Sequence, residues 1–211
     1  MDAFTDLKQW RAAQRAELLA RRIAVPEAQR RRWTQSITRR LLEGFPQLRG
    51  IVIGCYWPFK GEFDPRHAAR ELRSLGARIA LPVVVQKNAP LVFREWWPGA
   101  PMTRGVWDIP IPDETVLLAP QALLIPPVGF DPAGYRLGYG GGFYDRTLAA
   151  MPLRPLAIGV GFELCRIPTI HPQSHDIAMD FIVTEAGIQT GLRSPADVIG
   201  HKPDRSGTSL P

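Results

Sequence analysis

The residues best suited to chemistry lie in one stretch, FDPAGYRLGYGGGFYDR, from Phe130 to Arg146. Gly138, Gly140, Gly141 and Gly142 crowd a short loop, with Arg136 before them and Asp145 after. Glycines without Cβ atoms let a backbone approach a phosphate closely and turn its N–H groups inward. A helix starting directly after the loop adds the positive end of its dipole. Arg136 adds a charge-assisted, bidentate partner for the same anion. No GK[ST] closes the loop, so it is not a Walker A motif, and Phe143 stands where a dinucleotide fingerprint needs its final glycine.

The loop needs a strand before it and a helix behind it. ALLIPPVGF (122–130) reads as a core strand that turns into loop at its paired prolines, and a helix is expected from Phe143 to Ala150. RGIVIGCYW (49–57), ARIALPVVV (77–85), LAIGVGF (156–162) and DFIVTE (180–185) read as further buried strands. LVFREWW (91–97) is expected as an antiparallel neighbour of the second. Pro65 to Leu75 forms a helix closed by Gly76. Upstream, Asp6 to Ala24 reads as a helix capped by Thr5. Pro26 opens a second helix as its first residue, with Trp33, Ile37 and Leu41 on one face. Strand–helix alternation predicts an α/β fold: a three-layer sandwich on a mainly parallel sheet, Rossmann-like, with an N-terminal helical pair. One domain is expected over 1–190, with a polar, flexible tail over 191–211.

The chain has 211 residues, 45% of them hydrophobic and 22% charged, enough for one sizeable core. No apolar run approaches the roughly eighteen residues of a membrane span, and the N-terminus has no secretory pattern. A cytoplasmic, monomeric protein is expected. Its two cysteines, Cys55 and Cys165, sit in apolar runs and read as reduced core thiols. The formal net charge of +6 favours an anionic partner. Arg21-Arg22, Arg30-Arg31-Arg32 and Arg39-Arg40 read as solvated helix faces, and no RNA-binding motif accompanies them.

RLGYGGGFYDR resembles the signature loop of the 5-formyltetrahydrofolate cyclo-ligase (methenyltetrahydrofolate synthetase) family, and weaker matches run in order from about Arg11 to Glu185. The resemblance implies a cyclo-ligase-type α/β sandwich that uses ATP and Mg²⁺ on a small-molecule folate. ATP phosphates would then be held by Arg11 and Arg15, four apart on the first helix, with Lys8–Arg11 as the other choice of pair. Arg136, Leu137, Gly138, Tyr139, Gly140, Gly141, Gly142, Phe143 and Tyr144 would complete that site. The substrate would meet Trp57 and Glu62 from YWPFKGE, together with Tyr139, Gly140, Gly141, Gly142 and Phe143. Arg136 and Tyr139 would stand at the reacting centre, and Asp145 and Asp176 would carry Mg²⁺.

The implied reaction transfers the γ-phosphoryl group of ATP to the N5-formyl oxygen. N10 then attacks the activated carbon, and loss of phosphate gives 5,10-methenyltetrahydrofolate. One departure stands out: Cys165 falls near a position where many members carry glutamine, which implies a changed substrate contact. Two other functions follow from the same residues: a paralogue acting with ATP on another formylated or carboxylated compound, and a non-catalytic anion or nucleic-acid binder. The His175-Asp176 pair alone would suit a metal phosphohydrolase, but that chemistry needs more histidine ligands than His67, His171 and His201 supply in this pattern.

Overall fold

In the computed structural model, which describes residues 3–192, the apolar runs become strands of one eight-stranded sheet. Its centre is parallel and buried: β1 (Val52–Gly54), β2 (Arg78–Val83), β7 (Ala122–Ile125), β10 (Leu156–Val160) and β11 (Phe181–Val183). Both faces are covered, which is why these strands read as continuous apolar runs. The edges are antiparallel, with β3 (Val92–Trp96) beside β2, β6 (Leu117–Leu118) beside β3, and β12 (Ile188–Thr190) beside β11. The expected antiparallel neighbour is therefore present, with Ile79 opposite Trp96.

Alternation along the strands separates two cores. Ile53, Ile79, Leu81, Leu124 and Ile158 point to one face, against Ile37 and Leu41 of α2 (Glu27–Gly44) and Leu72 of α3 (Arg66–Ser74). Ala80, Phe93, Leu123, Ile125 and Ile182 point to the other, against Leu148 of α4 (Phe143–Ala150). This is the predicted three-layer sandwich. The first helix, α1 (Ala3–Ile23), packs Leu18 onto Val128, Leu137, Ile167 and Ile170 and so lies directly behind the glycine-rich segment.

Several local expectations are corrected. α1 begins at Ala3, so Thr5 lies inside it rather than capping it. Pro26 is the N-cap of α2 at ψ 143°, not its first helical residue, and Pro65 likewise precedes α3. The run 122–130 breaks in two. Pro126 and Pro127 have no N–H to donate to a ladder, and pairing resumes in β8 (Gly129–Phe130) with β9 (Arg136–Leu137). Arg136 and Leu137 thus belong to a hairpin, not a loop. Unexpected elements are β6, β12 and the hairpin of β4 (Met102–Arg104) with β5 (Pro110–Pro112). From residue 193 the polar tail expected over 191–211 lies outside the described residues.

The strand order β12-β11-β10-β7-β1-β2-β3-β6 places a switch point between β1 and β7. The chain leaves β1 toward β2 on one side, and leaves β7 toward β10 on the other. Loops that part in this way open a crevice at the carboxyl ends of the two strands.

Gly54 shows how closely that centre is packed. A Cβ there would stand 2.4 Å from Leu123 Cδ2 and 2.8 Å from Phe93 Cε1. Gly54→Val is expected to lower the unfolding free energy by about 1–3 kcal/mol through overpacking, as read by urea titration; unchanged stability would contradict this packing.

Candidate active site

The crevice is a cavity of about 250 Å³, and its lining includes Arg11, Arg15, Trp57, Glu62, the whole of 136–145, and Asp176. Its floor is the glycine loop. Gly140 (φ 94°) and Gly142 (φ 62°) adopt left-handed conformations that side chains resist, and Gly142 is the N-cap of α4. Among the described residues, no N–H from Gly138 to Gly142 donates to a protein acceptor. Five such donors beside a helix N-terminus are chemically suited to an anion.

The carbonyls of the loop are held by arginines instead. Arg15 Nε donates to Gly138 O at 2.8 Å, and Arg146 donates to Gly141 O. The Arg15 guanidinium lies against Gly140. Burial, and then the charge of Arg11, lower the Arg15 pKa below the usual range, while Asp176 pulls the other way. A bound anion would relieve this crowding of positive charge.

Arg136 is nearly buried. Its Nη2 donates to Asp145 Oδ1 at 2.8 Å and its Nη1 to Ile177 O at 2.7 Å. The Ile177 N–H donates to the same Asp145 oxygen at 3.0 Å. Asp145 is thereby fastened to the segment carrying Asp176. Asp176 Oδ2 accepts from Arg11 Nη2 at 2.6 Å and from the Gln173 N–H at 2.7 Å. Burial would raise the Asp176 carboxyl, but these hydrogen bonds and the charges of Arg11 and His175 hold it below the usual carboxylate range.

Asp145 and Asp176 offer the carboxylate oxygens that magnesium prefers. Each uses one oxygen for its protein hydrogen bonds, leaving Asp145 Oδ2 and Asp176 Oδ1 without any among the described residues. Phosphate oxygens and water would have to complete the shell, because no group of three or more His, Cys, Asp or Glu suited to a metal occurs among the described residues.

The opposite wall is aromatic. Trp57 lies edge-on to Trp96 at 6.3 Å, with the Arg66 guanidinium over its ring. Tyr139 sits between Phe59 and Trp107, with ring centroids 6.0 and 6.2 Å away. Trp107 was not expected here. It occupies the tip of the β4–β5 hairpin at φ 59° and is 56% exposed at the cavity mouth.

Glu62 closes the deep end, buried, accepting from Tyr139 OH at 2.8 Å and from the Phe59 N–H at 2.9 Å. Burial pushes its carboxyl up to about 7, against the pull of Arg22, the Phe59 N–H and the Tyr139 hydroxyl. Burial, and then the Glu62 charge, also raise the Tyr139 hydroxyl well above its ordinary value. Cys165 is buried, outside the cavity lining, and its thiol, pushed up to about 11 by burial, packs in the core as its apolar run predicted. Cys55 is likewise a buried free thiol, as expected.

Fold and site define a class: a three-layer α/β enzyme with an open glycine loop facing an aromatic cavity at the switch point of its sheet. The model of the 5-formyltetrahydrofolate cyclo-ligase family matches residues 7–185. The 5-formyltetrahydrofolate cyclo-ligase of Mycolicibacterium smegmatis is 34% identical over 181 residues, covering 81% of this chain and 91% of that one. The protein of the same name from Escherichia coli K12 is 29% identical, covering 80% and 96%. The NMR structure of Aquifex aeolicus 5,10-methenyltetrahydrofolate synthetase superposes with a TM-score of 0.76 at 26% identity, over 87% of this chain and 93% of that one. The chain belongs to the 5-formyltetrahydrofolate cyclo-ligase family, and is a ligase.

The environment of Glu62 has a consequence for stability. The folded protein keeps this proton to about pH 7, whereas a carboxyl of ordinary value, 4.5, releases it earlier. The contribution is therefore full below pH 4.5 and is lost as pH rises to about 7. Denaturant titrations should show wild-type stability falling across that window relative to Glu62→Gln; parallel profiles would contradict the raised value.

Proposed function

We propose that this protein uses ATP and Mg²⁺ to convert 5-formyltetrahydrofolate into 5,10-methenyltetrahydrofolate. One observation carries the reading: the unpaired N–H groups of Gly138–Gly142 and an aromatic wall ending on buried Glu62 share one cavity. The first suits phosphates. The second suits a flat heterocycle whose amino group donates to a carboxylate.

In this reading the loop N–H groups bind the phosphate oxygens of ATP, and Arg11 and Arg15 add charge from α1. Glu62 accepts from the amino-pyrimidine edge of the folate, while Trp57, Tyr139 and Trp107 border its rings. The formyl oxygen is thereby directed at the γ-phosphorus. The new O–P bond forms as the bond to ADP breaks, with the loop N–H groups stabilising charge on the transferring group. N10 then attacks the formyl carbon, the C–O bond breaks, phosphate departs with its electron pair, and N10 gives up its proton. When bound, Mg²⁺ supplies positive charge to the phosphate oxygens, and Asp145 and Asp176 are the residues to hold it. Arg136 orients Asp145 through the ion pair described above, so its replacement should disturb that carboxylate as well as the loop.

Protein mixed with 5-formyltetrahydrofolate, ATP and Mg²⁺ should generate the near-ultraviolet absorbance of the methenyl product, with one ADP per turnover. Asp145→Asn should move the magnesium titration about tenfold or more toward higher concentration. ATP hydrolysis without methenyl product, or an unchanged magnesium titration, would contradict the substrate and the metal assignments respectively.

A further inference from the structure

Arg22 lies outside every role assigned above, yet it is among the most buried charges of the molecule, at 2% exposure. Its three guanidinium nitrogens reach three different segments. Nε donates to Lys60 O at 3.1 Å, Nη1 to Pro127 O at 3.1 Å, and Nη2 to the Tyr139 hydroxyl at 2.7 Å. The same Nη2 stands 3.7 Å from Glu62 Oε1, the oxygen to which the Tyr139 hydroxyl donates. One side chain of α1 thus joins the loop after β1, the proline turn after β7 and the glycine loop.

The loop it grips is held close. Lys60 (φ 46°) and Gly61 (φ 73°) are both left-handed, and a Cβ on Gly61 would lie 3.4 Å from the Arg22 carbonyl oxygen. Loop and helix backbones are close, and Arg22 adds a partner from the helix to the Lys60 carbonyl.

We propose that Arg22 is a positioning residue of the reaction: from behind the cavity it fixes Tyr139 and, through it, Glu62, setting the distance between the carboxylate that meets the folate and the loop that meets the phosphates. The inference rests on the assignment of Glu62 to the folate. It also gives the Tyr139 hydroxyl a direction, since it accepts from Arg22 and must donate to Glu62.

The groups facing Glu62 are few. Arg22 comes from α1, Tyr139 from the glycine loop, Tyr56 from the end of β1 and Tyr144 from α4, while Lys60 and Arg30 of α2 stand beside its loop. Arg22 is foremost among the influences drawing its carboxyl downward. Without it, the carboxyl would keep its proton to still higher pH and would accept poorly from an amino group at neutrality.

Arg22→Met, Arg22→Lys, Tyr139→Phe and Glu62→Gln are compared by measuring KM for 5-formyltetrahydrofolate, KM for ATP and kcat between about pH 6 and pH 9. Arg22→Met should raise the folate KM about tenfold at neutral pH, with the deficit shrinking as pH rises and ATP KM changing much less. Arg22→Lys should restore most of the folate KM. Tyr139→Phe, which keeps the ring and needs no repacking of α1, should move the folate KM profile in the same direction by less, so the test survives if Arg22→Met does not fold. Adding Arg22→Met to Glu62→Gln should have little further effect on folate KM. A pH-independent loss of kcat alone, a wild-type folate KM profile in both Arg22→Met and Tyr139→Phe, or full additivity with Glu62→Gln would overturn the role of Arg22. A Glu62→Gln variant with unchanged folate KM would overturn the assignment of Glu62, and this inference with it.

Discussion

A loop that presents its N–H groups to a ligand cannot also use them to hold its own shape. Gly138–Gly142 meets this constraint by being held through its other atoms. Arg15 and Arg146 take the carbonyls of Gly138 and Gly141, Arg22 takes the Tyr139 hydroxyl, and Arg136 takes Asp145 where the loop becomes helix. Removing one partner of such a buried pair costs far more than the pair contributes relative to apolar packing. These arginines therefore act as fixtures for a site whose own backbone is left open.

The sheet places the fixtures. Its switch point between β1 and β7 sends the Glu62 loop and the glycine loop to opposite sides of one crevice, and α1 closes the back by packing Leu18 against Val128 and Leu137. Arg11 and Arg15 then reach the cavity one helical turn apart, and Arg22, two turns further on, lies behind it. Arg11 meets Asp176, Arg15 meets the loop and Arg22 meets the carboxylate wall. One helix thus sets the register of all three parts of the site.

Much of this was legible in the sequence, for identifiable reasons. Gly140 and Gly142 stand where positive φ demands them, and the apolar runs of β2, β7 and β10 are buried on both faces. What escaped notice depended on tertiary contact. Arg22 sits in an arginine pair on a helix that reads as solvated; Arg21 is indeed half exposed beside Glu17, while its neighbour is buried under the cavity. No local pattern separates the two. The β4–β5 hairpin carries Pro110 and Pro112, residues that argue against a strand, so Trp107 had no element to bring it to the cavity mouth. Cys165 packs in the core, as its apolar run predicted, and outside the cavity lining, although the resemblance implied a changed substrate contact near it.

The central claim is that the open loop delivers the γ-phosphoryl group of ATP to the formyl oxygen of a folate held against Glu62. Its most direct test follows that oxygen. When 5-formyltetrahydrofolate labelled with heavy oxygen in the formyl group is turned over with ATP, the account predicts the label in the released orthophosphate, one atom per methenyl product. Label found in water instead would contradict it.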